Sequence, residues 1–385
     1  MQSRTDSPET SSRKSAPADA SKAILDEDLR LGEHHVEERI FQNAAQVFHS
    51  AAWTAARAGL PKERFDAQWK LADALLHARQ FQAALANYRH AQHLAEQAFP
   101  DTAEYWMVRA SIAQALRRNH SYQAARNECD TIRERLESGL IGDSGRHAMV
   151  HRIIRHVEAQ LEAGEGNFAA AVRLAVELAR EFESGEDRLR SGLQYFNAAL
   201  WGVHAAEMAS AAEAAGVYAR AVANLARARL LVSSGSISDH DEKMREVELL
   251  SVLVKLVGVK LVDRGLDATG VGAAELLLRA QSELEQIGRQ YADDTPAMRI
   301  QELILRLRIA ERRGDEQRIH ECRSEIRLLA RRNRPDVAEW LQQDLAVRFN
   351  WKHAVKPLNR PDQALSELVE VSPEPRSREQ CARRM

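Results

Sequence analysis

The residues best placed to do chemistry are His147 and His151, four apart and therefore on one face if the segment is helical, as two metal ligands would be. A third ligand would have to come from His156 or Glu158, and the bland reading is exposed histidines in an arginine-rich stretch. Gly270, Val271 and Gly272 resemble part of a dinucleotide-binding loop, but no strand precedes them and a turn accounts for the glycines. Carboxylate pairs such as Glu37–Glu38 and Asp293–Asp294 arise readily where 29% of residues are charged. No phosphate-binding loop, GxSxG or HExxH occurs. The reading is a non-enzyme with no catalytic residue, cofactor or metal.

A second kind of chemistry is suggested by an arginine-rich run over residues 298–334. Arg306, Arg312, Arg313, Arg327 and Arg331 would form a basic patch able to meet phosphate or an acidic protein. Glu302 lies four before Arg306 and Asp315 three before Arg318, spacing at which charges neutralise one another along a helix. Aromatic residues for base stacking are missing from the run. A solvated, self-paired face is the competing reading, and nucleic acid is the weaker partner.

Any such side chains must be positioned by helices. Ala, Leu, Glu, Arg and Gln dominate, and no segment alternates apolar and polar with a period of two. An all-α fold follows. Net charge is −2, so the whole chain has no strong pull toward polyanions. Three widely spaced cysteines make neither a disulfide framework nor a zinc set, which suits a reducing cytoplasm. The most apolar stretch, residues 247–262, is broken by Lys255 and Lys260 and is shorter than a bilayer requires; it reads as a core helix, with no membrane partner. Residues 1–22 are rich in Ser, Pro and mixed charge and are expected to be disordered, with an uncleaved export signal as one reading of them. Residues 350–385 are expected to hold a short helix and a second disordered tail.

Between the tails, one pattern recurs. In FDAQWKLADALLHARQFQAALANYRHAQHL, residues 65–94, a first helix with Leu71, Ala72 and Leu75 meets a polar turn at residues 77–80. A second helix then sets Phe81, Ala84, Leu85, Tyr88, Ala91 and Leu94 on one stripe. Small Ala72 and Ala84 let two antiparallel helices approach. The second-helix pattern returns from Phe41, Tyr122 and Phe168, then more weakly from Met208, Val271 and Glu316.

This unit resembles the tetratricopeptide repeat family, with Trp69 one place later than that family's usual first-helix aromatic. Spacings of 40 (41 to 81) and 41 (81 to 122) exceed the standard 34 residues, and with the linker FPDTA at residues 99–103 they are similar to the longer repeats of kinesin light chains. The resemblance implies a right-handed α-solenoid of antiparallel hairpins over residues 23–349, six or seven in number, with a capping helix at 335–349. It also implies a partner-binding groove lined by first helices, here Trp69, Asp73, Leu76 and His77, then Ala110, Gln114, Arg117 and Arg118, then His156 and Gln160. The Lys-Asn-Asn-Lys-Arg clamp of heat-shock-protein receptors is absent: Trp69, Asp73 and Gln114 occupy the matching places. The expected function is a protein–protein scaffold or adaptor holding a peptide or protein. The alternative is a regulatory module of transcription or signalling that contacts nucleic acid or an acidic partner through residues 298–334. Oligomeric state and partner identity are not legible.

Overall fold

The computed structural model describes residues 16–99, 102–139, 144–234, 240–266, 269–291 and 296–332. Among them are fourteen α-helices and no strand. The helices are α1 (Ala16–Glu37), α2 (Phe41–Ala58), α3 (Pro61–His77), α4 (Phe81–Ala98), α5 (Ala103–Arg118), α6 (Tyr122–Glu137) and α7 (Ser144–Gly164). They continue with α8 (Phe168–Ser184), α9 (Arg188–Met208), α10 (Ala211–Ser233), α11 (His240–Asp263), α12 (Ala273–Gln290), α13 (Pro296–Arg313) and α14 (Glu316–Arg332). The chain divides into two compact units, residues 1–161 and 162–385. Within each unit, helices pack mainly on their neighbours in sequence.

One local device closes many of the turns. A residue in left-handed conformation follows the helix, and the next residue's N–H reaches back five places to a carbonyl: Ile40 to His35 (2.8 Å), Gln80 to Leu75 (2.9 Å) and Ser121 to Leu116 (2.9 Å). These bonds satisfy carbonyls that a helix end leaves orphaned. The left-handed position is held by Arg39, Arg79 and His120 in the first unit, at φ 60°, 61° and 58°. Glycine holds it after α2 (Gly59), α11 (Gly265) and α13 (Gly314), where no side chain opposes the positive φ.

In the first unit, Ala72, Ala84, Ala91 and Ala95 are fully buried around Phe65, Phe81 and Tyr88. Ala51, Ala55 and Ala67 play the same part between α2 and α3. Each large apolar side chain so covered contributes about 1.5–3 kcal/mol, and the alanines set the separation that makes such cover available. In the second unit Gly202 of α9 lies against α10, where a Cβ added to it would stand 2.9 Å from the Cβ of Ala221. The apolar stretch 247–262 is the buried body of α11, with Val247, Val252 and Leu261 at most 1% exposed. Its two lysines are paired, Lys255 with Glu283 and Lys260 with Glu207 (2.7 Å). No helix among the described residues is long and apolar enough to cross a membrane.

The second helices α2, α4, α6, α8 and α14 start at Phe41, Phe81, Tyr122, Phe168 and Glu316, as the recurring pattern predicts. Two starts are corrected. Met208 ends α9, 64% exposed, and α10 begins at Ala211. The local reason is Ser210, whose carbonyl accepts the N–H of Ala214 (2.9 Å) and whose hydroxyl donates to Glu213 (2.7 Å), a serine–glutamate helix start. Likewise α12 begins at Ala273, after Gly272, two residues beyond the expected Val271. α1 begins at Ala16, inside the segment expected to be disordered, with Pro17 in its first turn. The expected helix at 335–349 and the residue 350–385 tail lie outside the described residues.

Candidate functional site

The groove residues read from the sequence all fall in the first unit, on α3, α5 and α7. Leu76 and Ala110 are core residues, 3% and 0% exposed, and are removed from the candidate groove. Trp69 is half-buried against the same core, tilted on Phe65 at 5.8 Å, with its Nε1 shielded and unpartnered. Gln114 is half-buried on α5. His156 and Gln160, one turn apart on α7, bond each other at 2.9 Å and leave Gln160 Oε1 shielded without a donor.

Asp73, His77 and Arg118 do come together. The hydroxyl of Tyr88, fully buried on α4, donates to Asp73 Oδ1 and also bonds Ser111 of α5. Burial lifts the Asp73 carboxyl to about 6, against the smaller opposing effect of the Tyr88 bond. The Tyr88 phenol is pushed up by burial first and then by the Asp73 charge. At the end of α3, His77 stacks on Phe41 with ring centroids 5.1 Å apart. Burial holds its pKa below the usual histidine value, and the charges of Arg118 and Arg39 lower it further. His120 is lowered the same way, by burial and then Arg117.

The C-terminal ends of α3 and α5 and the turns after α1, α3 and α5 thus carry Arg39, His77, Arg79, Arg117, Arg118 and His120. The arginines among them are favoured at helix C-termini by the dipole. Arg39 and Arg118 lie close enough to His77 for their charges to act on it, which brings these three side chains together. Arg39, Tyr88 and Ser111 were absent from the sequence-derived set. Tyr88 was legible only as a stripe residue, and nothing near Arg39 in sequence connects it with a residue 38 places on.

The histidine pair considered for metal is otherwise engaged at one end: His147 contacts the carbonyl of Leu136 at 3.3 Å. Among the described residues no three His, Cys, Asp or Glu side chains converge on a common point. Cys129 is buried and its thiol pushed up to about 12, first by burial and then by Glu158, which keeps it protonated and poorly nucleophilic.

In the second unit most of the arginine-rich run is engaged. Glu302, fully buried, accepts from Arg306 (2.6 Å), Arg299 (3.1 Å) and Arg245 of α11 (3.3 Å). Arg312 pairs with Asp263 (2.5 Å), Arg318 with Glu321 (2.7 Å) and Arg323 with Glu311 (3.2 Å). Arg313 is exposed and has no ion pair among the described residues. The side chains of Arg327 and Arg331 lie outside the description. No family model matches the sequence, and no curated protein matches it.

Proposed function

We propose that the chain is a non-catalytic adaptor that holds a partner polypeptide on the face formed by α3, α5 and the turns beside them. In this reading each unit is a run of tetratricopeptide-like hairpins with a right-handed twist, and α3, α5 and α7 are the first helices that line the grip. The observation that carries the reading is the approach of Arg39 and Arg118 to His77 at the α3 and α5 ends, with Asp73 on the same helix accepting from Tyr88. Rigid helices present such a mixed polar surface to an extended segment without a preformed reactive centre. Free, buried Cys129 and Cys322 fit a reducing, cytoplasmic setting.

The test is site-specific photocrosslinking from position 114. Wild-type protein should capture a polypeptide that the Arg117→Glu/Arg118→Glu variant loses, while far-UV circular dichroism stays unchanged. Equal capture by both would overturn the placement. The nucleic-acid alternative is weakened in the second unit by the commitment of Arg306 and Arg312 of its candidate patch to Glu302 and Asp263.

A further inference from the structure

The outer face of the α1–α2 hairpin carries large apolar side chains left uncovered among the described residues. Ile24 is 57% exposed, Leu31 42% and Trp53 58%. The Ser50 hydroxyl donates to Asp28 (3.2 Å), which sets the two antiparallel helices in register. Ile24 lies one turn before Asp28 and Trp53 one turn after Ser50, so both stand on the same side of that bond, with Leu31 one turn away on the other. Arg57, on the next turn of α2, lies over the Trp53 ring at 4.6 Å. Leu25 and Leu29 of α1 point inward instead, into the core shared with α2 and α3.

Register with the later hairpins shows what sets this face apart. Trp53 is the thirteenth residue of α2, and the thirteenth residues of α4, α6 and α8 are His93, Glu134 and Arg180, all polar and exposed. Leu31 stands ten residues before the start of α2. Its counterpart ten residues before α4 is Leu71, which is 5% exposed because Ala44, Ala45 and Phe48 of the preceding hairpin cover it. α1 is the first described helix, and the fifteen residues before it hold only Met1 and Pro8 as apolar members. A face built to be covered by helices therefore needs a cover from elsewhere.

We propose that this face joins two copies of the chain in a two-fold dimer, with Trp53 of each seated on Ile24 and Leu31 of the other. Charge selects that occupant and its orientation. α1 carries six carboxylates against Lys22 and Arg30, and it stays acidic after Arg30 pairs with Glu27 and Lys70 of α3 with Glu33. Arg57 is the single Lys, Arg, Asp or Glu of α2. A two-fold axis parallel to the helices lays each α1 on the partner's α2, so the acidic helix meets the basic one and like charges stay apart. At 18 residues, α2 is about 27 Å long, and two helices about 10 Å wide give a face of roughly 540 Å² in plan. Ridged side chains raise its accessible area toward the about 800 Å² per partner of a stable interface. Tryptophan and arginine at its centre are the residue types that anchor such contacts. The inference does not depend on the partner-binding reading of α3 and α5.

The experiment is sedimentation equilibrium of the full chain at tens of micromolar, where twice the chain mass is expected. Trp53→Asp and Ile24→Asp should each weaken the dimer at least tenfold, with circular dichroism reporting that the variants remain folded. Thiol crosslinking then tests the orientation, in a Cys381→Ser background. Ile24→Cys protein mixed with Trp53→Cys protein should form a disulfide-linked dimer on oxidation, and Ile24→Cys protein alone should not. A monomer at tens of micromolar would overturn the proposal, whether the face is then covered by a different protein or by another segment of the same chain. A dimer of unchanged affinity in both folded aspartate variants would overturn it too, because the contact would lie elsewhere. So would a mixture no better crosslinked than either cysteine variant alone. Should an aspartate variant fail to fold, the crosslinking comparison decides the matter by itself.

Discussion

Replacing Asp73 with asparagine should stabilise the protein at pH 8 and leave it unchanged near pH 4. Burial raises the Asp73 carboxyl from 3.8 to about 6 in the folded state. A group whose folded pKa is raised gives its full stability below the unfolded value and loses it as pH climbs through the folded one. The window is therefore about pH 4 to 6, with wild-type stability falling as pH rises. Two pKa units at 1.36 kcal/mol each amount to about 3 kcal/mol, an upper bound because the residue retains some exposure. Asparagine removes the charge, and its Oδ1 still accepts the Tyr88 hydroxyl. For a unit of this size that corresponds to roughly 6–12 °C in melting midpoint. Thermal melts of both proteins at pH 4 and pH 8 isolate the effect, since other carboxylates titrate equally in each and cancel in the difference. An asparagine variant no more stable than wild type at pH 8 would refute the reasoning, as would an advantage that is the same at both pH values.

Glu302→Gln should be among the most damaging single changes, costing about 3–5 kcal/mol because it removes the buried charge shared by Arg245, Arg299 and Arg306, the first of them 3% exposed. Urea unfolding checks this, and Arg245→Met combined with Glu302→Leu should cost less than Glu302→Gln alone. Gly202→Val should cost about 1–3 kcal/mol by driving α9 away from Ala221 of α10, whose Cβ would stand 2.9 Å from even the first added carbon. Its thermal midpoint should drop while helical content before melting is kept.

The sequence revealed the helices best where one pattern did two jobs. At Phe41, Phe81, Tyr122 and Phe168 an aromatic residue both opens the second helix and begins its buried stripe, so periodicity and boundary coincide. At Met208 they part: the buried stripe of α10 runs Ala214, Tyr218, Ala221, Leu225, and the start is set by Ser210 and Glu213 instead. A serine followed three residues later by glutamate was there to be read. The candidate site was legible as a list of exposed-looking positions but not as a cluster. Spacing placed Asp73 and His77 on one face of α3, yet the partners that define their chemistry, Tyr88, Arg118 and Arg39, arrive from three other segments. The arginine run was legible only in part for a related reason. Local spacing exposed its pairing with Glu302, whereas Asp263 reaches Arg312 from 49 residues away.

The turns closed by a five-residue backward bond have a consequence for how the chain acquires its form. Each such bond, like most helix contacts within a unit, joins residues that are near neighbours along the polypeptide. Little loop-closure entropy stands between an extended chain and its first finished hairpin. A nascent chain can therefore complete α3 and α4 while α13 is still unmade, and the early pieces need not wait for distant ones.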